Sequence, residues 1–157
     1  MRIGQGIDAH RVSDDAARAL VLGLVTIPDA AGLDGHSDAD VATHALCDAL
    51  LGAANLGDLG RHFPDTDESI AGVSSRELLE RTVQLVHAAG FTVESADLTI
   101  IAERPRLAPF MGEMSAALSD VVGAVVSVKA TTAEGLGALG RVEGIAATAV
   151  ALITQTT

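Results

Sequence analysis

The hydrophobic pattern changes period along the chain, and each change predicts an element. Arg2 to His10 reads Arg-Ile-Gly-Gln-Gly-Ile-Asp-Ala-His, with Ile3 and Ile7 among glycines, and predicts an opening strand. Residues two apart on a strand face one way, so Asp8 and His10 project together. Leu20 to Ile27 predicts a short hairpin, turning near Gly23 and stopped by Pro28. A glycine-rich loop, Gly32 to Gly35, then leads into His36-Ser-Asp-Ala-Asp-Val-Ala-Thr-His44. From there Val41, Ala42, Ala45, Leu46, Ala49, Leu50 and Ala53 recur at helical spacing. Asp38 is placed as the N-cap and Gly57 as the residue that ends the helix. His44 falls on the side opposite the apolar stripe, the face that a helix standing alone would leave solvated, with Asp40 one turn before it and Asp48 one turn after.

Residues 58–67 form a polar loop punctuated by Gly and Pro. Ser74 or Ser75 opens a second helix running to about Ala89, where Gly90 ends it; Ser74-Ser-Arg-Glu77 has capping-box spacing. Phe91 to Ala102 alternates as a strand, and Ala102 to Ala108 is a Pro-punctuated turn. Pro109 to Val121 predicts a third helix, with Phe110, Met114, Ala117 and Leu118 on its apolar face. Ala124 to Thr132 is a strand, and Gly144 to Thr154 is buried as strand or helix; periodicity does not decide, and strand is preferred. The order predicts an α/β sandwich, a mixed sheet with helices on one face. No linker or repeat divides residues 1–157, so one domain is expected.

Composition sharpens this. Hydrophobic residues make up 48% of the chain, yet Phe63, Phe91 and Phe110 are the only aromatics. The core must be built from Ala, Val, Leu and Ile, which favours close packing of elements and makes association useful for burying more area. The net charge of −11, with no basic run, argues against nucleic acid or an anionic membrane as partner. An anionic substrate would need a metal ion or local positive groups. The lone Cys47 excludes an internal disulfide and suits a reducing, cytoplasmic setting. No signal peptide is expected, and the apolar run Ile145 to Ile153 is too short to span a bilayer.

Asp8, His10 and His44 together offer one carboxylate and two imidazoles, a set that leaves a fourth tetrahedral position open, as catalytic zinc sites do. Asp58, Asp65 and Asp67 serve either as ligands for hydroxyls or metal or as turn and capping residues. His62 is read as a surface residue. Arg104 and Arg106 suit either a phosphate or a solvated turn. Gly135, Gly137 and Gly140 satisfy the dinucleotide fingerprint, but Glu143 is the only acidic residue after them and no βαβ unit follows. A tight loop carrying Thr131, Thr132 and Glu134 toward a site accounts for them better.

Taken in order, Gly4-Gln-Gly-Ile-Asp-Ala-His10, His36 to His44, Asp48-Ala-Leu-Leu-Gly52, Leu56-Gly-Asp-Leu-Gly60, Phe63-Pro-Asp-Thr-Asp67, Lys129-Ala-Thr-Thr132 and Gly140-Arg-Val-Glu-Gly144 resemble the 2-C-methyl-D-erythritol 2,4-cyclodiphosphate synthase family over essentially the whole chain. The resemblance implies a homotrimer with active sites between subunits. It implies attack of the 2-phosphate of 4-diphosphocytidyl-2-C-methyl-D-erythritol 2-phosphate on its own β-phosphorus, with release of CMP. By position it makes Asp8, His10 and His44 ligands of Zn2+, and Glu134 the holder of Mg2+ or Mn2+ on the substrate phosphates. His36 and Thr132 match the residues that steady the transition state. Asp8, His10, His36, Ser37, Asp58, Gly60, Phe63, Asp65 and Asp67 match the erythritol phosphate side. Ala102, Pro105, Arg106, Leu107 and Ala108 match the cytidine loop, Thr131, Thr132, Ala133 and Glu134 the rest of the nucleotide end, and Arg141 the trimer axis. The chain departs from the family at Ala138, where a Phe is common, and at Val142, where a Gly is common. The competing readings are a zinc-dependent phosphohydrolase, with water as attacker, and a non-catalytic trimer that keeps zinc for structure.

Overall fold

The computed structural model describes residues 1–64 and 72–156. Strand β1 (Arg2–Arg11) leads to a hairpin of β2 (Ala19–Leu22) and β3 (Val25–Ala31). Helix α1 (Val41–Ala54), the short α2 (Leu59–His62) and α3 (Ser75–Ala88) follow. Strand β4 (Phe91–Ile101), α4 (Met111–Val122), β5 (Val125–Thr131), the short α5 (Gly137–Gly140) and β6 (Gly144–Gln155) complete the chain. The four-stranded sheet has the order β1-β6-β4-β5. The β1/β6 and β6/β4 pairs are antiparallel and β4/β5 is parallel, so the sheet is mixed. The 144–154 segment is its second strand, as preferred: Ile145, Ala147, Ala149, Ala151 and Ile153 alternate inward, and all are buried.

The close fit of α1 to β1 begins with two glycines. A Cβ on Gly4 would stand 2.0 Å from the Ala49 carbonyl oxygen, and one on Gly6 2.0 Å from that of Ala45. Bare backbone on the strand and alanines on the helix let the two meet at a distance larger side chains would forbid. Helix α1 covers β1 and β6, α4 covers β5, and α3 packs across α1 and α4. Leu46 and Leu50 of α1, Leu79 of α3, Met114 and Leu118 of α4, and Leu98 and Ile100 of β4 fill the layer between. The opposite face of the sheet stays open, with Ile3, Ile7 and Val125 each 71% exposed. Among the described residues no helix is long and apolar enough to cross a membrane.

Four local expectations are corrected. The N-cap of α1 is Asp40, not Asp38. Ala39 takes a left-handed turn (φ 55°) that places the later carboxylate at the helix start. Asp40 Oδ1 accepts from the Ala42 and Thr43 amides at 3.1 Å, and its two oxygens accept from Gly23 and Leu24 at 2.8 Å. Burial pushes this carboxyl up, and bonds from Thr43, Leu24 and Gly23 oppose the shift. The helix ends earlier than expected, capped by Asn55 in the left-handed region (φ 60°) and not by Gly57. Pro28 does not stop the hairpin but lies inside β3, which pairs with β2 alone and tolerates a missing donor on its outer side. Finally, α1 has no solvated face: between sheet, hairpin and α3 it buries twelve of its fourteen residues, His44 included.

Candidate active site

Three donors from two elements meet at the C-terminal end of β1. Asp8 and His10 turn toward the helix layer together, and His44 descends from the first turns of α1. Asp8 Oδ2 lies 3.1 Å from His10 Nε2 and 3.1 Å from His44 Nδ1. The three donor atoms lie within 4.8 Å of one another. Two ligands each about 2.0 Å from a tetrahedral ion stand about 3.3 Å apart, so this set fits a shared divalent metal. Burial alone would raise the Asp8 pKa, but hydrogen bonds from His10 and His44 outweigh it and hold the carboxyl below the usual range. The Asp8 bond raises His10, against desolvation and with help from the Asp34 carbonyl. A carboxylate that favours a cationic His10 favours a metal cation in the proton's place.

Each imidazole is also held by its far nitrogen. His10 Nδ1 bonds the Asp34 carbonyl. His44 Nε2 lies 3.0 Å from Ser75 Oγ and 3.3 Å from Ser37 Oγ. The loop bearing His36 and Ser37 is tied by Arg18, whose guanidinium donates to the carbonyls of Gly35 (2.9 Å) and Ser37. His36 is exposed at this loop. Asp58 is the N-cap of α2, accepting from Arg61 at 2.9 Å, so the capping reading holds there. Asp48 Oδ1 accepts from the Leu59 amide at 2.7 Å and so fixes the turn carrying Gly60 and Phe63 against α1. Asp65 and Asp67 lie outside the described residues. His62 is half-buried and bonds the Leu56 carbonyl at 2.9 Å, apart from the Asp8–His10–His44 cluster.

At the far edge of the sheet a cleft of about 690 Å³ is lined by Ala102, Pro105, Arg106, Leu107, Ala108, Thr131 and Thr132, among others. Thr132 Oγ1 donates to Glu134 Oε1 at 2.7 Å, and both residues are exposed. Glu103 shapes this loop by accepting from the amides of Ala133 (3.2 Å) and Gly135 (3.4 Å). Arg141 is exposed and donates to Glu143 at 2.6 Å. His10 pairs with Ile145, Ala146 with Ile101 and Ile101 with Thr131, so both half-sites open at one end of the sheet. They occupy opposite edges, three strand spacings or about 14 Å apart, and one chain does not bring them together. Cys47 is buried and its thiol is pushed up to about 12 by desolvation, which removes it as a nucleophile.

Sequence reasoning missed Asp38 and Ser75 as partners in the site, along with Arg18, Asp48 and Glu103. The signal beside Ser75, the capping-box spacing, belongs to Ser74 and speaks only of the start of α3. The contact of Ser75 with His44 spans 31 residues and appears only in the folded chain.

A mixed sheet under helices, with a carboxylate–imidazole cluster at one edge, defines an α/β protein with a centre able to hold a metal ion. The chain belongs to the YgbB family, whose model matches residues 1–154. The Thioalkalivibrio sulfidiphilus 2-C-methyl-D-erythritol 2,4-cyclodiphosphate synthase is 55% identical, over 98% of this chain and 96% of that protein. The Thiobacillus denitrificans enzyme of the same name is 53% identical, over 99% and 98%. A solved 2C-methyl-D-erythritol-2,4-cyclodiphosphate synthase in a CDP-bound form superposes with a TM-score of 0.88 at 38% identity, covering 98% of this chain and all of that one. The Plasmodium falciparum IspF–CDP complex gives 0.85 at 29% identity, over 99% and 97%.

Proposed function

We propose that the chain closes 2-C-methyl-D-erythritol 2,4-cyclodiphosphate, the product in its relatives' name, from 4-diphosphocytidyl-2-C-methyl-D-erythritol 2-phosphate. It acts as a cyclising lyase of isoprenoid biosynthesis. A 2-phosphate oxygen forms a bond to the β-phosphorus, the bond from that phosphorus to the bridging oxygen breaks, and CMP departs. The observation that carries this reading is the Asp8–His10–His44 cluster, held in a chain of this family. Asp8, His10 and His44 would hold Zn2+, and Glu134 would hold Mg2+ or Mn2+ with the substrate phosphates. Bound there, divalent cations supply charge neutralisation for two anions that must meet.

The chain's own groups do the positioning. The cleft of residues 102–108 with Thr131 and Thr132 takes the cytidine, which agrees with the CDP bound by two relatives of the same fold. Ala133 completes that end. The Thr132 hydroxyl, released once Glu134 turns to its cation, would donate to the phosphoryl group as CMP leaves. His36 and Ser37, on the loop held by Arg18, take the 2-phosphate end with Asp58, Gly60 and Phe63, and Asp65 and Asp67 extend that wall.

A homotrimer completes the site. With the two half-sites on opposite edges of the sheet, a closed ring sets the β5 edge of one chain beside the β1 edge of the next. The open sheet face, with Ile3, Ile7 and Val125, then turns inward, and Arg141 approaches the axis. One domain spans 1–157, and the buried lone cysteine suits the cytoplasm.

The test is phosphorus NMR of the purified protein with the diphosphocytidyl substrate, zinc and magnesium. CMP with a cyclic diphosphate is expected. CMP with a linear bisphosphate would make the chain a hydrolase, and an unchanged spectrum with zinc bound would make it a binding protein.

A further inference from the structure

We propose that Ser75, backed by Asp38, is a positioning residue that fixes the ring of His44 so that Nδ1 faces the metal site. This rests on the reading of Asp8, His10 and His44 as metal ligands. Ser75 is the first residue of α3 and is completely buried. Its hydroxyl donates to Asp38 Oδ1, and its amide donates to Asp38 Oδ2 at 3.0 Å. Asp38 thereby takes up the one hydroxyl proton, and what remains on Ser75 Oγ toward His44 is a lone pair. His44 Nε2 lies 3.0 Å from that oxygen. The only proton that can lie between them is on Nε2. A neutral imidazole protonated at Nε2 has its free lone pair on Nδ1, the atom 3.1 Å from Asp8 Oδ2.

The order Asp38–Ser75–His44 therefore sets both ring angle and tautomer. Ser37 Oγ, 3.3 Å from Nε2, already accepts from the Ala39 amide at 3.2 Å and is the longer partner. A helix start that merely needed a cap already has one, since Ser74 accepts from the Glu77 amide. The Ser75 hydroxyl plays no part in that cap. It connects α3, through one buried oxygen, to a ligand on α1.

Two measurements test the assignment. Zinc affinity is read by competition with a chelating dye for the wild type, Ser75→Ala, Ser75→Thr and His44→Ala. Histidine-labelled nitrogen-15 NMR of the zinc-loaded wild type reads which ring nitrogen of His44 carries the proton. Ser75→Ala should lose about 10- to 100-fold in zinc affinity with little change in the melting temperature of the metal-free protein. Ser75→Thr, which keeps the hydroxyl, should bind near the wild-type level. The wild-type spectrum should show Nε2–H exchanging slowly with water.

A proton on Nδ1 in the zinc-loaded wild type, or undiminished affinity in Ser75→Ala, would overturn the proposal. So would a folded Ser75→Thr that loses as much as Ser75→Ala, since packing would then be the cause. If Ser75→Thr does not fold, the wild-type spectrum decides alone. The metal-site reading fails separately, through His44→Ala binding zinc as tightly as the wild type.

Discussion

Val142 sits at φ 61°, a left-handed conformation that a β-branched side chain adopts only under strain. The position follows α5 and precedes β6, so the turn geometry is imposed from both sides. Glycine, common here in the family this chain resembles, would adopt that φ freely. Val142→Gly should therefore raise stability by about 1 kcal/mol, the relief of strain exceeding the added freedom of the unfolded chain. Urea unfolding of both proteins measures it, and a destabilised variant would mean that the valine side chain contributes more by packing. Asp38 and Asp40 carry a related lesson. Both are short acceptors ahead of an apolar run, and periodicity cannot choose between them. The choice came from Ala39, whose left-handed turn has no signature in its residue type. Asp40 then serves hairpin and helix at once, and Asp38 is released to hold Ser75.

The strand–helix contact of β1 with α1 depends on glycine in the strand as much as on alanine in the helix. Gly6→Ala would drive its new methyl group into the Ala45 carbonyl and push the helix away. The expected cost is on the order of 3 kcal/mol in unfolding free energy. Zinc affinity should fall as well, since Ala45 adjoins His44, and a dye competition alongside the urea curve reads both. Elements of this kind were legible in the sequence: all the larger ones lie where the pattern placed them, and Asp8 with His10 was placed on one face by alternation alone. What was hidden belongs to tertiary surroundings. His44 looked solvated because one helix wheel cannot know that sheet, hairpin and α3 enclose it. Pro28 looked like a stop because the pattern does not say that β3 pairs on one side only.

The donor cluster and the cleft of residues 102–108 share an end of the sheet but not an edge. In the proposed ring each site takes its metal ligands from one chain and its Thr132 and Glu134 from the next. His44→Ala and Thr132→Ala, each nearly inactive alone, should recover activity when unfolded and refolded together. Mixed rings would pair an intact β1 edge with an intact β5 edge, and CMP release measures the recovery. No recovery in confirmed mixed assemblies would place both halves of the site in one chain.

The same separation governs how a damaged copy behaves among sound ones. In the proposed ring, a chain defective at both edges would spoil the site on its left and the site on its right. With random mixing, the surviving sites follow the square of the sound fraction, so an even mixture retains about a quarter of the activity and not half. A damaging substitution that leaves such a ring able to assemble would thus spread into its neighbours' output, a dominance that follows from the distance between two edges of one sheet.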